Sequence, residues 1–208
     1  LLGWTAAALQ PESVNRLVAI SAPHPVRMRE AILGDRAQLA AMSYIFGFQR
    51  PLIPERQLTA KNAERIETFL RRWSGDPAWP DPGSAAHFRA AFQVGATSHC
   101  SLEYYRLAFR SIPRADGRRF KADMIANPVG RPVLHIHGAI DRSVLPRSAM
   151  GSERFVVGPY AWRPIPNVGH FPQEEAPAQT HQLILDWLAS DVPWNDPRPA
   201  AGPAALGM

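Results

Sequence analysis

Two kinds of hydrophobic pattern divide the chain. Residues 14–21 (Val14-Asn15-Arg16-Leu17-Val18-Ala19-Ile20-Ser21) form a short apolar run rich in β-branched side chains, which predicts a strand covered on both faces in a parallel sheet. The segment Ala22-Pro23-His24-Pro25 stops it. Residues 131–138 repeat the pattern, and residues 160–165 give a shorter version. Between the first and second runs, residues 26–120 carry no strand signal. They read as polar-rich helices with breaks at Pro51, Pro54, residues 75–83 and Pro113. Within them Ile66, Phe69, Leu70 and Trp73 fall on one helical face. The alanine-rich residues 1–12 predict a helix ended by Pro11, and no Ser, Thr, Asp or Asn caps it ahead of Leu1. Residues 178–189 predict a last amphipathic helix with Leu183, Ile184, Trp187 and Leu188 as its apolar stripe.

Strand, helical excursion, strand, strand and helix is the order expected of an α/β protein seen from the middle of its sheet onward. The expected division is a core part over residues 1–25, a helical cap over 26–120, a second core part over 121–190, and a disordered Pro, Gly and Ala tail over 191–208. A chain of 208 residues with 46% apolar and 20% charged positions can bury a sizeable core. No apolar run approaches the roughly 20 residues that span a bilayer, and the first residues lack a signal peptide's basic region, so no membrane partner and a cytoplasmic location are expected. The lone cysteine, Cys100, excludes an intramolecular disulfide and reads as a small buried hydrophobe. The net charge of +5 comes from arginines scattered among acids, not from a basic tract, so no nucleic-acid partner is expected.

Polar residues just past the carboxyl ends of parallel strands converge on one rim of the sheet. Asp141 comes just after the strand ending at His137-Gly138, and His170 comes after the next strand in Asn167-Val168-Gly169-His170-Phe171-Pro172. Either could be an ordinary turn residue. Together they fit an acid–base pair: neutral imidazole is the base best matched to pH 7, and a buried carboxylate fixes its tautomer and stabilises its charged form.

The segments 137–141 and 169–171 resemble the acid and histidine motifs of α/β-hydrolases, whose triad runs nucleophile, acid, histidine. Leu2-Gly3-Trp4 and Ser21-Ala22-Pro23-His24-Pro25 resemble the helix and strand end that come after the nucleophile elbow in epoxide hydrolases and their dehalogenase relatives. The resemblance runs from Leu1 to Ser190. It implies an aspartate nucleophile about four residues ahead of Leu1, within Gly-x-Asp-x-Gly, and an α/β fold with an inserted helical cap. Ser43-Tyr44-Ile45-Phe46-Gly47-Phe48-Gln49-Arg50-Pro51 and Leu102-Glu103-Tyr104-Tyr105-Arg106 resemble the two cap motifs whose tyrosines donate hydrogen bonds to the departing epoxide oxygen. They give Tyr44 and Tyr105, with Tyr104 as the alternative neighbour. A phenol with a pKa near 10 stays protonated at neutral pH, yet can stabilise a nascent alkoxide.

The implied reaction turns a small apolar epoxide into a vicinal diol through a covalent aspartyl ester, with no cofactor or metal. The nucleophile and the upstream oxyanion loop are absent from these residues, so the chain as written is expected not to turn over epoxides. A dehalogenase or serine esterase of the same fold, or a non-catalytic binding protein, are the rival expectations. Phe46, Phe48, Trp73, Trp79 and Phe92 are candidates for an apolar wall or simply for core, and Trp4, Phe48, His99 and Tyr104 are the expected substrate contacts. His24 reads as a turn residue near the cap hinge, His135 as a satisfied buried histidine, Glu174 and Glu175 as residues flanking the last helix, and His181 as solvent-facing. An incomplete sheet would favour a homo-oligomer.

Overall fold

A computed structural model describes residues 1–191; the expected disordered tail lies, from residue 192 on, outside the described residues. Among these, three parallel strands form one sheet in the order β1 (Leu17–Ile20), β2 (Val133–Gly138), β3 (Tyr160–Ile165). The register pairs Leu17 with Val133, and Val133 in turn with Tyr160. Every position of β2 is buried, as befits a central strand covered on both faces. Its alternation divides the core. Leu134 and Ile136 face a cluster with Ile165 and Val168, closed by Leu183, Ile184 and Trp187 of α11 (Pro177–Ala189). Val133 faces the other cluster, with Trp4, Ala7 and Ala8 of α1 (Leu2–Leu9), Val26 of α2 (Pro25–Gly34) and Met124 of α8 (Ala115–Ala126).

The excursion between β1 and β2 is entirely helical, continuing after α2 with α3 (Arg36–Ala41), α4 (Tyr44–Phe48), α5 (Ile53–Trp73), α6 (Pro82–Gln93), α7 (Thr97–Arg110) and finally α8. Its ends pack on the sheet-bearing part. Arg27 donates to the carbonyls of Met150 and Arg147, Arg147 pairs with Asp35 at 2.6 Å, and Met124 is fully buried near Trp4. The boundary expected at residue 120 thus falls inside α8. The middle helices have their own core of Phe48, Leu58, Ala63, Ile66, Leu70, Trp79 and Leu102, which Phe171 from the far side of β3 joins. Pro54 does not break a helix but sits in the first turn of α5, where its missing N–H costs nothing. The interruption comes instead at Lys61, Asn62 and Ala63, all at left-handed φ near 50° to 55°. Two other expectations give way: Leu188 is half-exposed on α11, and Cys100 is exposed. No described helix is long and apolar enough to cross a membrane.

Two of the buried histidines on the α1 side of the sheet, His24 and His135, predict a fold sensitive to acid. His24 caps α2, accepting at Nδ1 from the Val26 N–H, and stacks on Phe155 at 4.3 Å. His135 meets the Tyr160 hydroxyl at 2.8 Å. Burial pulls their pKa values from 6.5 down to about 4 and about 3. With depressed folded values, the unfolded chain binds more protons once the pH drops below 6.5. Their stabilising contribution is therefore intact above pH 6.5 and is lost as pH falls towards 4. Urea unfolding midpoints are expected to change little between pH 8 and 7 and then fall, each histidine contributing about 1.4 kcal/mol per pH unit. His24→Asn, which keeps a side-chain acceptor for the Val26 N–H, should shallow that slope by about one proton; an unchanged slope would remove His24 from the account.

Candidate active site

The carboxyl ends of β2 and β3 bring two loops into backbone contact. A side chain at Gly138 would place its Cβ 1.8 Å from the Gly169 carbonyl oxygen, and one at Gly169 would come within 2.3 Å of both Gly75 N and Trp73 O. Only glycine fits either place. The consequence is that Asp141, just past β2, meets His170, just past β3: Asp141 Oδ2 accepts from His170 Nδ1 at 2.8 Å. Asp141 is 2% exposed, and its Oδ1 accepts the backbone N–H groups of Ser143 (2.7 Å) and Val144 (2.9 Å), which fixes the carboxylate plane. A carboxylate of this kind only accepts, so the Nδ1 of His170 carries the proton and its Nε2 holds the lone pair of a base. The His170 side chain is 23% exposed.

His137 lies behind the pair. Its Nε2 is 2.9 Å from the Val144 carbonyl and 3.4 Å from Asp141 Oδ2. The carbonyl can only accept, so Nε2 is the protonated nitrogen. Burial pushes the His137 pKa down despite the neighbouring Asp141 charge, which leaves the ring a neutral donor at the edge of the carboxylate.

On the side of the helical excursion an aromatic series leads away from the imidazole. Trp73 stands edge-on to His170 at 5.9 Å, Tyr44 lies 5.0 Å from Trp73, and Tyr105 lies 6.1 Å from Tyr44. Phe48 packs against both tyrosines, at 5.4 and 5.5 Å. Behind the larger effect of burial, the neighbouring Tyr105, Ser143 and Asp141 also act on the titration of the Tyr44 hydroxyl. Burial raises the pKa of both phenols, so each holds its proton across the neutral range. Arg106, 3% exposed, fixes the two tyrosines relative to each other. From α7, next to Tyr105, it donates to the carbonyls of Phe48 (2.8 Å) and Arg50 (2.6 Å) at the end of the helix that carries Tyr44. Glu55 and Glu103 balance its charge at 2.7 and 2.8 Å, and Arg106 holds the Glu55 carboxyl down at about 2.

Of the residues expected from sequence, Asp141, His170, Tyr44, Tyr105 and Phe48 come together. Three do not. Trp4 is in the core beneath the sheet, 1% exposed, donating to the Ala22 carbonyl and packed against His24 and His135. Tyr104 is 54% exposed: one residue is about 100° of helical turn, which carries it off the face of Tyr105. His99 is exposed on α7 and pairs with Glu55 at 3.3 Å, because six residues before Tyr105 is about 240° around the helix. Sequence patterning also assigned no role at the site to His137, Ser143 or Arg106. His137 had a usable signal, since it shares a strand face with buried Val133 and ends four residues before the acid. Arg106 had none beyond its place after Tyr105. Among the described residues no group of three or more His, Cys, Asp or Glu side chains is arranged to hold a metal ion.

No family model matches the chain. It is 28% identical over 195 residues to epoxide hydrolase 3 of Xenopus tropicalis, covering 91% of this chain and 50% of that protein. It is 38% identical over 199 residues to epoxide hydrolase 4 of Mus musculus, covering 92% and 52%. The chain thus spans about half the length of these curated relatives. A crystal structure of the Bacillus megaterium epoxide hydrolase in complex with an inhibitor superposes with a TM-score of 0.75 at 23% identity, over 91% of this chain and 66% of that one. This is a partial α/β-hydrolase fold. Within that fold the likeness to epoxide hydrolases extends over nine-tenths of the chain, and it spans both the helical excursion and the two loops that carry Asp141 and His170.

Proposed function

We propose that this α/β-hydrolase chain carries the acid, the base and the cap donors of an epoxide hydrolase, whose aspartate nucleophile lies upstream of Leu1. The 2.8 Å contact between His170 and Asp141, with Trp73 set between the imidazole and the Tyr44 ring, is the observation that supports it most. In the first step the upstream carboxylate attacks one epoxide carbon and the ring C–O bond breaks. Tyr44 and Tyr105 donate to the oxygen that leaves, and one phenolic proton offsets the alkoxide charge. In the second step the lone pair on His170 Nε2 takes a proton from water. The hydroxide attacks the ester carbonyl while Asp141 stabilises the imidazolium. The bond from the carbonyl carbon to the diol oxygen then breaks, the diol leaves, the aspartate carboxylate is regenerated with the water oxygen, and the imidazolium proton replaces the one the phenol gave up.

The natural gene product is expected to convert styrene oxide to phenylethanediol. In a single turnover in ¹⁸O-water the first diol should carry unlabelled oxygen, because that atom comes from the enzyme carboxylate. Label in the first diol would rule out the ester route, and chloride release from a haloalkane without diol formation would favour a dehalogenase.

A further inference from the structure

The carboxylate of Glu175 takes part in neither step, yet it gathers two loops. Its Oε2 accepts the backbone N–H groups of Gly75 (2.7 Å), Gly169 (2.9 Å) and Asp76 (3.3 Å), and its Oε1 accepts that of Phe171 (3.0 Å). Gly75 and Asp76 come after Trp73 at the end of α5, while Gly169 and Phe171 flank His170. The same two loops are joined by the His170 N–H donating to the Trp73 carbonyl at 2.9 Å. Glu175 is itself fixed. It ends the short helix α10 (Pro172–Glu175), whose Pro172 carbonyl accepts from the Thr180 hydroxyl of α11 at 2.8 Å. Four N–H dipoles pointing at one spot repel each other unless an anion sits there, and a carboxylate satisfies several such donors at once. A side chain at Gly169 itself has no room to do so.

We infer that Glu175 is the positioning residue for His170, and that it makes the placement of the base depend on the cap segment that carries Trp73. The catalytic consequence rests on the function proposed above; the positioning itself does not.

The test uses the natural gene product with Glu175→Gln and Glu175→Ala. Glutamine can keep an oxygen where Oε2 sits but turns an amino group towards the Phe171 N–H. Amide exchange at Phe171 is therefore expected to quicken about tenfold or more in the glutamine variant, with Gly75 and Gly169 changing less than about threefold, whereas alanine should release all three. The downfield His170 Nδ1–H resonance from the Asp141 hydrogen bond should broaden in the alanine variant. With styrene oxide, ester formation should stay within about twofold, while ester hydrolysis slows about 10-fold to 100-fold. A merely structural role would instead speed exchange throughout and slow both steps alike. Unchanged protection at Gly169 and Phe171 together with a sharp Nδ1–H resonance in Glu175→Ala would overturn the inference. If the parent protein forms no diol, the epoxide reading fails, while exchange and resonance still decide for or against Glu175.

Discussion

Replacing Asp141 by asparagine in the natural gene product is expected to lower turnover of an epoxide by about 10⁴-fold, the scale set when the acid behind a catalytic histidine loses its charge. The geometry explains why so small a change is so costly. Oδ1 is committed to the N–H groups of Ser143 and Val144, so the new amino group must take the place of Oδ2. There it faces His170 Nδ1 at 2.8 Å and the Nε2–H of His137 at 3.4 Å. Nδ1 must then become the acceptor, the proton moves to Nε2, and the base is lost. In the proposed mechanism only ester hydrolysis depends on that base, so the variant should form the covalent adduct at close to the parent rate and hold it. Intact-mass measurement during turnover should find the enzyme heavier by one substrate. Turnover within tenfold of the parent would show that Asp141 is not the acid.

Tyr44→Phe and Tyr105→Phe are expected to have the complementary effect. Each should slow ester formation by about 10²- to 10³-fold, because a pre-aimed donor in a dry site is worth that much to a developing oxyanion. Ester hydrolysis should be nearly unaffected. Burial keeps both hydroxyls protonated, so the loss should be independent of pH through the neutral range. Exposed Tyr104 and His99 serve as internal controls, and Tyr104→Phe and His99→Ala should stay within about twofold, as surface changes away from the site do. Single-turnover measurement of adduct formation decides the matter. A Tyr44→Phe enzyme that forms the ester at the parent rate would remove the phenols from the mechanism.

Much of this architecture could be read from local pattern because it is governed by local physics. β3 coincides with the apolar run at residues 160–165, and α11 begins within one residue of its predicted start. Asp141 and His170 stood out because strand ends in a parallel sheet must open onto one rim, whatever lies between them. The choice between Tyr104 and Tyr105 was not available locally. The two differ only in helical phase, and the packing of α7 against α4 and α5 sets that phase. Trp4 and His99 misled for the same reason: resemblance in sequence says nothing of which way a side chain turns. Glu175 was unreadable as a clamp, since two of its four donors lie a hundred residues away in the chain. Adjacent to a helix start, the same carboxylate reads equally well as a helix-flanking charge.

Trp73 touches both halves of the site. Stacked flat on Phe69 and set between the Tyr44 phenol and the His170 imidazole, its indole works as a spacer: the gauge between phenol and imidazole is one ring system wide. Bulk and tautomer control thus belong to different side chains. Homologues could trade this one residue for a slimmer or broader one and change the girth of molecule they accept, while the carboxylate–imidazole couple beneath stays as it is.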